Sequence, residues 1–135
     1  MPVNEDIYAK VVDAFCEALA LDEDEVTLNS LVIDELGAES LDFLDIAFRL
    51  ERSFGIKIPR GEIQKAAEQE AGGSFEEAGK LTESGASALR KALPEVDLSK
   101  VVVGLPVRDI PRLFTVETFY NMVIDLLSRK ERLAG

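Results

Sequence analysis

The chain has no histidine among its 135 residues and a single cysteine, Cys16. Without histidine no Ser-His-Asp triad can be assembled, and Gly37-Ala38-Glu39-Ser40-Leu41 is not the Gly-x-Ser-x-Gly elbow of a serine hydrolase. One cysteine excludes an intramolecular disulfide and, with no histidine to help it, a thiolate zinc cluster. Cys16 is expected to be a small buried apolar residue of the first helix. Glycine-rich phosphate loops and spaced metal ligands are also lacking. The acidic run Asp22-Glu23-Asp24-Glu25 has neither the alternating oxygen ligands nor the sixth-position glycine of a calcium loop, so it reads as a loop or helix cap with no metal. The opening Met1-Pro2-Val3-Asn4-Glu5-Asp6 has no basic segment followed by an apolar one, and no apolar run is long enough to span a bilayer. A cytoplasmic location and no stable membrane insertion are expected.

Basic surface is scarce as well. The formal net charge is −11, which argues against nucleic acid and anionic membranes as partners. Residues 1–63 carry 15 acidic and 5 basic side chains, whereas residues 64–135 carry 11 and 10, so nearly all of the excess lies in the first half. Such a surface steers basic partners, with a strength that falls as salt rises; it also serves simply to keep a protein soluble. An apolar content of 47% over this length fits one soluble domain with its own core.

What is present is helical periodicity. Ile7, Val11, Ala14, Phe15, Ala18 and Leu19 form one stripe of a helix over residues 4–20. Phe43, Ile46, Ala47, Leu50 and Phe54 recur at i, i+3, i+4, i+7 and i+11 and mark a second helix over 41–54. Val116, Phe119, Tyr120, Val123, Ile124 and Leu127 mark a third, with Thr115 as its N-cap. Between the first two, Val26, Leu28, Leu31, Val32, Ile33 and Leu36 make an apolar connection that should cross the bundle.

The segment Leu36-Gly37-Ala38-Glu39-Ser40-Leu41-Asp42 places one hydroxyl between a glycine turn and the start of the second helix. The first N–H groups of a helix have no intrahelical partner and its dipole is positive there, so a phosphate attached to Ser40 would be favoured electrostatically. The bland reading of Ser40 is a helix N-cap.

These residues resemble the acyl carrier protein family, whose Asp-Ser-Leu motif after Leu-Gly-Ala carries 4′-phosphopantetheine on its serine; here the motif reads Glu39-Ser40-Leu41. The likeness extends back through Leu31-Val32-Ile33-Asp34-Glu35, forward through Asp42-Phe43-Leu44-Asp45-Ile46 and the Phe54-Gly55-Ile56-Lys57-Ile58-Pro59 exit, and resumes over 110–127, covering about two thirds of the chain. Glu39 in place of aspartate keeps the charge and adds a methylene. The resemblance implies an all-α, acyl-carrier-like four-helix bundle. Ser40 would hold the arm derived from coenzyme A, and the arm would hold an acyl group as a thioester for fatty-acid, lipid or polyketide-type biosynthesis. The protein would perform no catalysis, so no catalytic residue is assigned. Its expected partners are a phosphopantetheinyl transferase and acyl-activating, ketosynthase or acyltransferase enzymes with basic docking surfaces, and a monomer is expected.

In this family the second helix meets those enzymes, which points to Glu39, Leu41, Asp42, Leu44, Asp45, Phe48, Glu51 and, as departures from the usual acidic pattern, Arg49 and Arg52. Such arginines either retune partner choice or make i,i+3 and i,i+4 contacts with neighbours such as Asp45. Ile46, Leu50, Ile56, Ile58, Ile110, Phe114 and Phe119 are candidate walls of an acyl shelter, with core packing as the alternative for each. Two other functions fit the residues: an aminoacyl or peptidyl carrier, and an interaction module in which Ser40 is only a cap.

The stretch of about 64–106 has no counterpart in ordinary carriers. It reads as an insertion before the family's third helix, in a single domain over 1–135 whose carrier core is about 1–63 and 107–130. Residues 63–71 could continue as a helix, Gly72-Gly73-Ser74 as a break with flexibility extending to Lys80, and 82–93 as a helix ending before Pro94. Val101-Val102-Val103 before Gly104-Leu105-Pro106 should be extended. Leu81, Leu89, Leu93, Val96, Leu98 and the valines suffice for it to pack on the bundle and to accommodate unusual cargo or a dedicated partner.

Overall fold

The structure, a computed structural model, describes residues 4–58 and 74–134. They are mostly helical, as the all-α expectation requires: α1 is Glu5–Leu19, α2 Ser40–Phe54, α3 Glu83–Ala92 and α4 Val116–Ala134. Short 3-10 turns occupy Glu23–Glu25, Leu98–Lys100 and Val107–Leu113, and a two-stranded antiparallel hairpin joins β1 (Glu76–Glu77) to β2 (Lys80–Leu81). The expected helix over 63–71, the Gly72-Gly73 break and Pro59 lie outside the described residues. The chain divides into two compact units, one of Met1–Ile58 with Phe114–Gly135 and one of Pro59–Leu113. The boundaries at 58/59 and 113/114 differ from the 63/64 and 106/107 drawn from the sequence.

In the first unit α1 begins at Asn4, whose Oδ1 accepts from the backbone N–H of Asp6 and Ile7 at 3.1 Å each. Glu5 and Asp6 place negative charge in the first turn, where the helix dipole favours it. The Asn4 N–H donates to the Tyr120 hydroxyl at 2.8 Å, tying the start of α1 to α4. Thr115 and Thr118 cap α4 reciprocally, each hydroxyl accepting from the other's backbone N–H.

The apolar stripes meet in one core: Val11, Val12, Ala14 and Phe15 of α1, Ile46 and Leu50 of α2, and Val116, Phe119, Tyr120 and Val123 of α4 are buried together with Val26, Val32, Ala38 and Ile56. Phe119 sits at the centre. Its ring lies edge-on to Phe15 (5.3 Å between centroids) and to Phe114 (6.3 Å) and tilted on Phe43 (6.0 Å), geometries that aromatic quadrupoles favour. The 20–39 connection is held by backbone bonds rather than packing alone. Val32 N–H donates to Phe114 C=O, Val116 N–H to Ser30 C=O and Glu117 N–H to Leu28 C=O, all at 3.0–3.1 Å. The acidic run forms a 3-10 turn in which Glu25 Oε1 accepts from Asp22 N–H at 3.1 Å. Cys16 is half-buried rather than buried, because it flanks the stripe instead of lying on it.

The second unit has its own core of Phe75, Leu81, Ala86, Ala88, Leu89, Leu93, Val96, Val101, Ile110 and Leu113. Residues 74–80, expected to be flexible, instead form the hairpin, turning through Ala78 and Gly79 with positive φ of 55° and 77°. The hairpin is braced by residues 104–107. Leu81 N–H donates to Leu105 C=O, Gly104 N–H to Leu81 C=O and Val107 N–H to Gly79 C=O, each at 2.9 Å. The pairing segment therefore follows the valine triplet. Val101 is buried at the end of a 3-10 turn, while Val102 and Val103 are exposed. Arg90 on α3 holds Val101 C=O with Nε at 3.0 Å and Nη2 at 2.7 Å.

Helix α3 matches the expectation for 82–93 closely. Thr82 caps it, its Oγ1 accepting from Gly85 N–H at 3.0 Å and donating to the Ser74 and Phe75 carbonyls. A Cβ at position 85 would lie 2.0 Å from the Phe75 carbonyl oxygen, so only glycine lets the helix approach the hairpin this closely. Where a short third helix is expected after the insertion, the chain forms the 3-10 segment Val107–Leu113, which belongs to the second unit and contains Pro111, a residue without a backbone donor.

Candidate functional site

Helix α2 begins where the chain is forced to turn. Gly37 adopts φ +76°, a conformation that residues with a Cβ rarely take, and its N–H closes on Ile33 C=O at 3.0 Å. Ala38, buried against the core, donates its N–H to Val32 C=O at 3.0 Å and fixes where the helix starts. Glu39 is the N-cap, with extended φ/ψ, and Asp42 Oδ2 accepts its N–H at 2.8 Å.

Ser40 is therefore the first helical residue and not the cap. The capping role that a serine could fill there belongs to Glu39 and Asp42. Its neighbours are open to solvent: Glu39 is exposed and Leu41 is 78% exposed. A phosphate attached at this point of the backbone would sit at the positive end of a four-turn helix. A phosphopantetheine ester fits that position.

The predicted partner face is also on the outside. Leu41, Leu44 and Phe48, at i, i+3 and i+7, are 78%, 41% and 56% exposed, whereas Ile46 and Leu50 on the opposite side are fully buried. Asp42 and Asp45 flank the row, each half-buried. Asp45 Oδ1 accepts from Arg49 Nε at 2.9 Å, and Arg49 Nη1 also reaches Glu17 Oε2 of α1 at 2.7 Å. Arg52 lies over the Phe48 ring, 5.7 Å from its centroid. Glu51 Oε2 accepts from Ile58 N–H at 2.8 Å and so holds the exit from α2. That exit is closed by Gly55 at φ +64°, whose C=O accepts from Lys130 Nζ at 2.9 Å. Glu17 and Lys130 were invisible to sequence reasoning, because they act across 32 and 75 residues.

Of the candidate acyl-shelter residues, Ile46, Leu50, Ile56 and Phe119 are buried in the first unit's core, with Ile58 and Phe114 packed against it. Ile110 is buried in the second unit. The Cys16 thiol is pushed above its usual pKa, first by burial and then by the nearby carboxylates of Asp13, Glu23, Asp22 and Glu25, which makes it a poor nucleophile at neutral pH. Asp22, Asp24 and Glu25 bring carboxylate oxygens within 4.8 Å of one another, but all three are exposed and their grouping follows from the 3-10 turn. No helix among the described residues is long and apolar enough to cross a membrane.

Known proteins share this part of the chain. Residues 9–67 match the family described as "Phosphopantetheine attachment site". The chain is 50% identical over 52 residues to the acyl carrier protein AcpXL of Brucella melitensis, covering 38% of this chain and 56% of that protein. It is 38% identical over 65 residues to the acyl carrier protein of Thermotoga maritima, covering 48% of this chain and 80% of that protein. With the acyl carrier protein of Campylobacter hominis it shares 38% over 60 residues, 44% of this chain and 76% of the other. The match thus spans a little over half the length of the AcpXL protein and most of the two shorter carriers.

Proposed function

The chain belongs to the acyl carrier protein family, whose cofactor is a covalently attached 4′-phosphopantetheine, and from that premise we propose that Ser40 is the point of attachment. The observation that carries this reading is the place of Ser40: first residue of α2, outside the cap, between an exposed glutamate and a leucine that is 78% exposed. When bound, the arm supplies a terminal thiol that holds an acyl group as a thioester. The residues of this chain do the rest. The Gly37 turn and buried Ala38 fix the attachment point, and the helix start stabilises the phosphate. The tether keeps the cargo at high effective concentration in any enzyme docked on α2.

The cargo is an acyl group for fatty-acid, lipid or polyketide-type biosynthesis, and the partners are a phosphopantetheinyl transferase and acyl-transferring enzymes with basic surfaces. The acidic balance of residues 1–63, 15 acids to 5 bases, supports partners of that charge. Ile46, Leu50, Ile56, Ile58, Phe114 and Phe119 shelter part of the acyl chain when α2 and α4 part, and pack on each other when it is absent. The test is the intact mass after incubation with coenzyme A and a broad-specificity transferase. One phosphopantetheine is expected on the wild type and none on Ser40→Ala. A gain that persists in Ser40→Ala would move the attachment point elsewhere. No gain with any of several transferases would return Ser40 to a structural role. Mass on the thiol after exposure to cell extract separates acyl from aminoacyl cargo.

A further inference from the structure

The two arginines of α2 are used differently. Arg49 is drawn into a clamp between Asp45 of its own helix, at 2.9 Å, and Glu17 of α1, at 2.7 Å. Its charge is cancelled within the protein, and so is part of the acidity of the face. Arg52 forms no ion pair among the described residues; it is exposed, and its guanidinium rests on the exposed Phe48 ring. Stacking restrains a long side chain at little cost and leaves the planar edge of the guanidinium free for a carboxylate.

Leu41, Leu44, Phe48 and Arg52 follow one another at i, i+3, i+7 and i+11, so the arginine ends the same row that begins beside Ser40. The row is electrically bipolar, with Glu39 and Asp42 at its start and, at its end, a cation that has no ion pair among the described residues. Twelve residues of α-helix separate Ser40 from Arg52 by about 18 Å. A standard interface covers about 800 Å² per partner, a disc of about 16 Å radius, so an enzyme centred on the row that reaches Ser40 also covers Arg52.

We propose that Arg52 is the specificity-determining residue of this face. It selects phosphopantetheinyl transferases that present a carboxylate opposite the C-terminal end of the apolar row, and it disfavours those whose docking surface is basic throughout. This inference rests on the reading of Ser40 as the attachment point. A transferase with an unbroken basic surface meets repulsion at Arg52 and an Asp45 already neutralised by Arg49, while one with a basic and an acidic end matches both ends of the row.

The experiment measures coenzyme A-dependent loading by two purified transferases, the one encoded in the same genome and one that serves carriers with acids in place of Arg49 and Arg52. With the first enzyme Arg52→Glu is expected to lower kcat/KM on the order of threefold to tenfold, through KM with kcat held, and with the second to raise it. Both differences should shrink at high salt. Lys10→Glu, which changes net charge equally from an exposed position on α1 beside Phe54 and off the apolar row, should leave both rates unchanged. Equal kcat/KM for wild type and Arg52→Glu, an equal shift with Lys10→Glu, or a loss confined to kcat would overturn the proposal while the carrier reading stands. Absence of loading on the wild type by either enzyme would overturn both.

Discussion

Replacing Gly85 by alanine sets two principles against each other. In an exposed helix interior the change is worth about 1 kcal/mol in favour of alanine, since glycine has more conformational freedom to lose. Here the new Cβ would lie 2.0 Å from the Phe75 carbonyl oxygen and 2.9 Å from its carbonyl carbon, and backbone cannot rotate aside. Relief requires α3 and the hairpin to separate by roughly 1 Å, well beyond what a close-packed interior absorbs without loss. That movement stretches the Thr82 N–H to Phe75 C=O bond of 3.1 Å and the Thr82 hydroxyl bond to the same carbonyl, each worth about 1 kcal/mol. It also loosens Ala86 and Leu89 against their neighbours, an overpacking cost of about 1–3 kcal/mol. The net expectation is a loss of about 2–4 kcal/mol from the second unit. Urea unfolding followed by resolved NMR signals of Leu89 and Val101 reports on that unit. Ser87→Ala is the control, because Ser87 is exposed on the same helix and alanine there should be neutral or stabilising by about 0.5 kcal/mol. A Gly85→Ala variant as stable as Ser87→Ala would refute the close approach.

Three further outcomes are expected. Phe119→Ala removes the ring on which Phe15, Phe43 and Phe114 converge and should destabilise the first unit by about 3–5 kcal/mol in urea denaturation. Arg49→Gln breaks two partly exposed ion pairs, so it should cost less than about 1 kcal/mol of stability, and by releasing Asp45 it should raise rather than lower loading of Ser40 by a transferase with a wholly basic docking surface; a large loss of loading would place Arg49 itself in the partner interface. Cys16, its pKa raised by burial and by acidic neighbours, holds less thiolate than a free thiol at any pH below that raised value. Its alkylation at pH 8 should be slower than that of free cysteine, and salt should recover part of the difference by screening Asp13 and the 22–25 acids.

The helices of the carrier part were legible because their signals are local. The stripe over 4–20 became Glu5–Leu19 with Asn4 as cap, the stripe over 41–54 became Ser40–Phe54, and the helix after Thr115 became Val116–Ala134. Even inside the unmatched stretch, 82–93 became Glu83–Ala92 between Thr82 and Leu93. The hairpin was missed for the opposite reason. Two-residue strands have no periodicity to detect, and Glu76, Glu77 and Lys80 read as polar loop. What holds them is backbone pairing with residues 104–107, more than twenty positions away. The valine triplet misled in turn, since β-branched composition marks a surface that packs well but not which of its residues pair.

At the site the division is similar. Sequence alone determined the glycine turn, the hydroxyl that follows it and the apolar row beside it, because each depends on spacing along one helix. Only the tertiary structure decided that Glu39 and not Ser40 is the cap, that Arg49 is bound to Glu17 while Arg52 faces outward, that Glu51 holds Ile58, and that Ile110 belongs to the second unit. Periodicity tells which side of a helix is apolar. Which charges on the other side remain available depends on what distant segments bring against them, and that is settled by packing.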